Sequence, residues 1–172
     1  GRKMSKSLGN VIAPQRVIEQ SGADILRLWV ATTDYTEDMR IGPEIVKGLV
    51  DNYRRLRNTL RYLLGNLNNF DEMERFPLAD MPELERWVLH RLGELDVTLR
   101  SAVSDYSFHT FYSALHNFCA TDLSAFYFDV RKDALYCDVS GSKRRRAART
   151  VLDYLFNCLT AWLAPALPFT SE

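Results

Sequence analysis

From Pro43 to Ala164 the apolar residues of this chain recur every three or four positions, a spacing that packed α-helices bury and β-strands do not. Ile45, Leu49, Tyr53, Leu56, Leu60, Leu63 and Leu67 form a first stripe, with Pro43 at its N-terminus and Asn66 to Phe76 as its exit loop. A second helix is predicted from about Pro82 to Val103, with Leu84, Trp87, Val88, Leu92, Leu95 and Leu99 inward. A third starts near Ser107 and turns Phe111, Leu115, Phe118, Leu123, Phe126 and Phe128 inward. The fourth covers about Lys143 to Ala164, buries Val151, Leu152, Leu155, Phe156, Leu159 and Leu163, and is stopped by Pro165. Four helices with short connections predict an all-α, up-down bundle over residues 43–172.

Residues 1–42 read differently, as a small mixed α/β connector. Pro14 suits the first turn of a short helix over 14–20, ended by Gly22. Ser21 can cap a second helix, Ala23 to Ala31, with Asp24 in its first turn. Thr32 to Gly42 is turn-rich, and an extended stretch is predicted near Met39 to Ile41. The chain opens on a Lys/Ser/Gly loop and ends at Ser171-Glu172 in what reads as the start of another helix, so a piece of a longer polypeptide is expected.

Composition narrows the function. Basic and acidic side chains balance at 22 each, which argues against a strongly basic nucleic-acid module while leaving room for a local basic patch. No run approaches the roughly 20 apolar residues of a membrane helix, and a cytoplasmic protein with no membrane partner is expected. Cys119, Cys137 and Cys158 form no Cys-x-x-Cys pair, and His90, His109 and His116 complete no metal pattern. Reduced thiols and no metal site are expected.

The residues that carry chemistry stand first. Lys3-Met4-Ser5-Lys6-Ser7, followed by Leu8-Gly9-Asn10, places two ammonium groups on a loop of small residues. Lysine is a compact point charge suited to phosphate oxygens, and charge builds on a pyrophosphate as it leaves, so cations there act mainly in the transition state. The same composition also describes a solvated tail. Arg54, Arg55, Arg57 and Arg61 crowd one helix, with Arg57 and Arg61 four apart on one face. Lys143, Arg144, Arg145 and Arg146, with Arg149 beyond, open another helix, where cations oppose the macrodipole. RNA phosphates would explain either cluster, and so would solvation or pairing with carboxylates. Trp87, Phe118 and Trp162 could stack on splayed bases, although their helical spacing favours the core. His109 and His116 share a face, with core or surface roles outweighing catalysis.

Lys3 to Ser7 resembles the second signature of class I aminoacyl-tRNA synthetases at all five positions. Leu8-Gly9-Asn10-Val11-Ile12 and Gly22-Ala23-Asp24-Ile25-Leu26-Arg27-Leu28-Trp29 resemble the module that follows it. Asp34-Tyr35 with Arg40-Ile41, Tyr53 to Thr59, and Tyr127-Phe128-Asp129 with Lys132-Asp133 are similar to the isoleucyl branch of the subclass that also handles valine, leucine and methionine. The resemblance covers essentially the whole chain. It implies a signature loop and stem-contact connector over residues 1–42, with a helical anticodon-binding domain over 43–172. It implies that Lys6 contacts ATP phosphates while isoleucyl-adenylate forms, that Lys3 steadies the loop and the pyrophosphate, and that Met4, Ser5 and Ser7 complete the ATP-binding loop. ATP with Mg²⁺, isoleucine and tRNA(Ile) are the implied substrates and partners of a monomeric parent, with Arg54, Arg57, Arg61, Arg144, Arg145 and Arg149 as candidate tRNA contacts. The other signature, His-x-Gly-His, is missing from these residues, so this piece alone is expected to be inactive and to bind no cofactor. The alternatives are the valyl counterpart and a non-catalytic helical RNA-binding module.

Overall fold

The computed structural model describes residues 2–172, and every regular element among them is helical. Helix α1 (Pro14–Ser21) starts on a proline and stops at Gly22, whose φ of 91° is open to glycine and strained for other residues. Helix α2 (Ala23–Thr32) follows at once, sinking Ile25 and Leu28 into the core against α3 (Pro43–Asn66) and α5 (Phe108–Asn117). Helix α4 (Glu83–Ser104) turns into α5 at Tyr106, which adopts φ 55°. A π-helical stretch (Phe118–Tyr127) and α6 (Phe128–Cys137) continue α5 as one rod. Helix α7 (Lys143–Leu163) runs through the middle of the bundle, and Ala147, Ala148, Val151, Leu152, Leu155, Leu159 and Leu163 on it are fully buried. It packs against α3, α4 and α6, and a short α8 (Pro168–Ser171) closes the chain.

Four expectations need correcting. Residues 38–42 form no strand; among the described residues no strand exists for Met39 to Ile41 to pair with, and the Trp29 indole Nε1–H ties this stretch to α2 by donating to the Arg40 carbonyl at 3.1 Å. The mixed α/β connector is therefore helix and coil. Ser21 is the last residue of α1 and gives no cap to α2, whose N-cap is Gly22. Ile45 is 41% exposed, because Val46 and Val50 are the side chains that α3 turns toward Val17 of α1. Phe126 is 45% exposed, since i→i+5 bonding in the π-helix shifts the helical phase. Cys119, Leu123 and Tyr127, four apart, take the inward positions, and Phe126 packs edge-on against Trp87 with ring centroids 5.2 Å apart.

A buried ion pair fastens α4 to the rod. Glu85 is fully buried and receives Arg131 through two hydrogen bonds, Nε at 2.6 Å and Nη2 at 2.8 Å. The Tyr127 hydroxyl donates to the same carboxylate at 3.2 Å. Burial first, and the Glu85 charge second, keep that phenol protonated far above its usual range.

His116 lies between α5 and α3 with its Nε2 buried and unpartnered among the described residues. Burial, then Arg55, pulls its pKa below the ordinary 6.5. The folded state therefore holds neutral imidazole. As pH falls through about 6.5 the unfolded chain takes up the proton first, and stability declines until the folded imidazole titrates as well. The melting temperature is expected to drop more between about pH 7 and 5.5 in the native chain than in His116→Gln. Equal drops would contradict this.

Candidate nucleotide loop and nucleic-acid interface

The lysine loop is held by an asparagine. Asn10 Oδ1 accepts the Ser5 amide at 2.8 Å, and Asn10 Nδ2 donates to the Lys3 carbonyl at 3.2 Å, bending residues 3–10 into a closed turn. The Ser5 and Ser7 hydroxyls lie 2.7 Å apart, a single helical turn spans Lys6–Leu8, and Gly9 leaves it at φ 63°. Lys3, Met4, Lys6 and Ser7 are exposed and Ser5 is half-buried. None of the ion pairs among the described residues involves either lysine. The loop thus presents two free ammoniums on a backbone fixed by Asn10, a residue that sequence reasoning passed over. Its signal was the Gly-Asn pair, common where a short polar side chain must reach back to the main chain.

The basic opening of α7 is used internally. Ser142 caps the helix by accepting the Arg145 amide at 3.1 Å, and the Asp138 carboxylate sits beside it. Arg144 forks onto that carboxylate at 3.0 and 2.8 Å, holding the Asp138 carboxyl below the usual carboxylate range, while Arg145 donates to the Asp138 carbonyl at 2.9 Å. One acidic group thereby offsets the clash of cations with the helix dipole. Arg146 donates to the carbonyls of Met73, Glu74 and Arg75. Arg149 is only 5% exposed; it binds the Asn66 and Asn68 carbonyls and the Glu74 carboxylate, and its guanidinium covers Phe70 at 5.4 Å. Arg149 is therefore withdrawn as a tRNA contact, because its donors clasp the loop between α3 and α4. Arg75 completes the clasp through Glu72 and Asp153.

The arginines of α3 behave differently. Arg55, Arg57 and Arg61 are exposed, and among the described residues Arg54 pairs only with Asp51, at 3.3 Å in open solvent, a contact worth little. Three hollows of about 520, 270 and 490 Å³ lie along this helix and share walls. Arg54 lines the first two and Arg57 the second and third, so the three stand in a row along one face of α3, a discontinuous furrow. Arg16 of α1 and Lys47 enter it at one end and Arg61 at the other. From Lys47 to Arg61 the furrow follows about 21 Å of helix. Neither Arg16 nor Lys47 stood out in the sequence, because only the fold of α1 over α3 adds them to the arginine row. Among the described residues no group of three His, Cys, Asp or Glu could hold a metal ion.

Residues 85–172, just over half of the chain, match the family model described as the anticodon-binding domain of tRNA ligase. The chain belongs to this family. Residues 1–42 match a second model, tRNA synthetases class I (I, L, M and V). An isoleucine–tRNA ligase of Ruegeria pomeroyi is 62% identical over 173 residues, covering all of this chain and 18% of the relative. Another, from Gluconobacter oxydans, is 59% identical over 172 residues, again with 18% of the relative covered. This anticodon-binding chain thus spans about a fifth of the length of the curated relatives it matches. A solved ternary complex of an Agrobacterium radiobacter LeuRS with tRNA and LeuAMS superposes with a TM-score of 0.72 at 21% identity, over all of this chain and 20% of that one. At that identity the likeness establishes the fold alone.

Proposed function

We propose that this chain is the signature-loop, connector and anticodon-binding part of an isoleucine–tRNA ligase, with residues 1–42 as the loop and connector and 43–172 as the helical tRNA-binding domain. The observation that carries this reading is the pair of lysines, unpaired among the described residues, on the Asn10-braced loop of a chain 62% identical over its whole length to an isoleucine–tRNA ligase. In the parent, isoleucine and ATP give isoleucyl-adenylate and pyrophosphate, and a terminal ribose hydroxyl of tRNA(Ile) then takes the isoleucyl group, releasing AMP. Lys6 contacts the ATP phosphates as the adenylate forms and meets the charge that grows on the departing pyrophosphate. Lys3 assists, with Met4, Ser5 and Ser7 shaping the loop. The loop offers ammoniums and no carboxylates, so the Mg²⁺ that accompanies ATP does not fit a site made by these residues, and no step here depends on them holding it. The parent is taken to be monomeric and cytoplasmic, and among the described residues no helix is long and apolar enough to cross a membrane.

Aminoacylation by the full-length protein, with isoleucine and valine offered in parallel, tests the assignment. Stable attachment of isoleucine is expected; stable attachment of valine would overturn it.

The α3 furrow, with Arg54, Arg57 and Arg61 supplemented by Arg16 and Lys47, is the proposed track for the tRNA backbone. Arg144 and Arg145 are a secondary contact, since Arg144 must share its guanidinium with Asp138. Changing Arg54, Arg57 and Arg61 together to glutamine is expected to reduce the salt dependence of tRNA(Ile) binding by about two to three units of log K against log salt. The matched Arg144/Arg145 pair of changes should lower it by about one unit or less. Filter binding across a salt series reads both. An unchanged slope in the α3 variant would remove the furrow from the interface.

A further inference from the structure

Residues 2–42 carry the lysine loop, and few polar contacts fasten them to the bundle. Among the described residues, four side-chain hydrogen bonds cross to residues 43–172, and three of them meet at one corner. Arg27 of α2 donates through Nε to the Ala166 carbonyl at 3.1 Å and through Nη2 to the Pro165 carbonyl at 2.6 Å. The Thr170 hydroxyl donates to Asp24 Oδ2 at 2.6 Å and accepts from the Tyr53 hydroxyl at 3.0 Å. The fourth bond, from the Tyr35 hydroxyl to the Tyr106 carbonyl, joins exposed groups.

The corner is built to receive these bonds. Helix α7 ends at Leu163, and Pro165 and Pro168 have no amide hydrogen with which to continue it. The carbonyls beyond its last turn need donors from outside the helix, and Arg27 brings both donors and a positive charge to the negative end of the helix dipole. The corner is also stiff, with Ala166 3% and Leu167 0% exposed between the two prolines. Asp24, 6% exposed, lies one helical turn before Arg27 on α2. Two side chains of one helix thus grip both sides of a rigid bend in another segment.

We propose that Arg27, Asp24 and Thr170 are positioning residues that set the tilt of the loop-bearing segment against the bundle, and thereby the register between the activated amino acid and an RNA held along α3. The proposal rests on the ligase reading above. The lysine loop acts while the adenylate forms, before any RNA is required. The furrow acts when the aminoacyl group is transferred. A joint between them therefore matters to the second step and not to the first.

The test uses the full-length ligase with Arg27→Met and Thr170→Val combined, changes that keep the apolar stem of one side chain and the shape of the other. Isoleucine-dependent exchange of pyrophosphate into ATP is expected to stay within about twofold of the native rate. The kcat/KM for tRNA(Ile) in charging should fall about tenfold, at the low end for coupled sites. Arg27→Lys alone, which restores a cation and one donor at the carbonyls, should recover most of that loss. Unchanged charging would overturn the proposal. So would exchange and charging falling in parallel with the melting temperature, which would mark the corner as a prop for the fold. If the native ligase charged no isoleucine at all, the ligase reading would fail first and the proposal with it.

Discussion

Replacing Lys6 by alanine in the full-length ligase is expected to slow isoleucyl-adenylate formation by two to three orders of magnitude, roughly what the loss of one preorganised group facing a developing charge costs. The reasoning is local. Lys6 is exposed, free of any carboxylate among the described residues, and stands on a turn whose shape is fixed by Asn10 on both sides of Met4. An ammonium so placed has no structural duty to lose, and the melting temperature should not move. Lys3→Ala should cost less, about tenfold, since the resemblance gives it an assisting part. Pyrophosphate exchange measured beside thermal melting reads both. A large fall in melting temperature with Lys6→Ala would contradict the claim that its charge is free for the substrate.

Glu85→Ala is expected to lower the folding stability of this chain by about 3–5 kcal/mol, a large part of what a domain of this size possesses. The change strands the Arg131 guanidinium, 13% exposed, and the buried Tyr127 hydroxyl without their acceptor. The cost lies in leaving charge unpaired, not in losing a strong attraction. The triple change Glu85→Leu, Arg131→Met and Tyr127→Phe should therefore recover most of the stability. Urea titrations of the three chains decide it. A loss below about 1 kcal/mol in the single variant would show that water reaches the pair.

The helices were legible because their burial pattern is written in single residues. Leu49, Leu56, Leu60 and Leu63 carry α3, and Val151 to Leu163 carry α7, as the three-four spacing requires. On the α5–α6 rod Leu123 and Phe128 were read inward and are buried, whereas Phe126 was misplaced, since no local residue announces a change to i→i+5 bonding. The lysine loop was legible as a motif, yet its brace, Asn10, was not, because its bonds depend on how the loop turns back at Gly9. The arginines divided in a way that sequence cannot show. Those of α7 face Asp138, Glu74 and bare carbonyls brought from 6 to 83 residues away, whereas those of α3 face solvent along a furrow. Charge spacing is identical in kind for both; only the fold supplies the partners.

In the proposed ligase the loop lysines act mainly on the transition state of adenylate formation and add little to ground-state ATP binding. Single-turnover formation of isoleucyl-adenylate, followed in native and Lys6→Ala full-length ligase across a range of ATP concentrations, separates the two. The maximal rate should collapse while the ATP concentration for half-maximal rate changes by no more than about threefold. A maximal rate that survives intact, with only the ATP requirement raised, would instead place Lys6 in ground-state ATP binding.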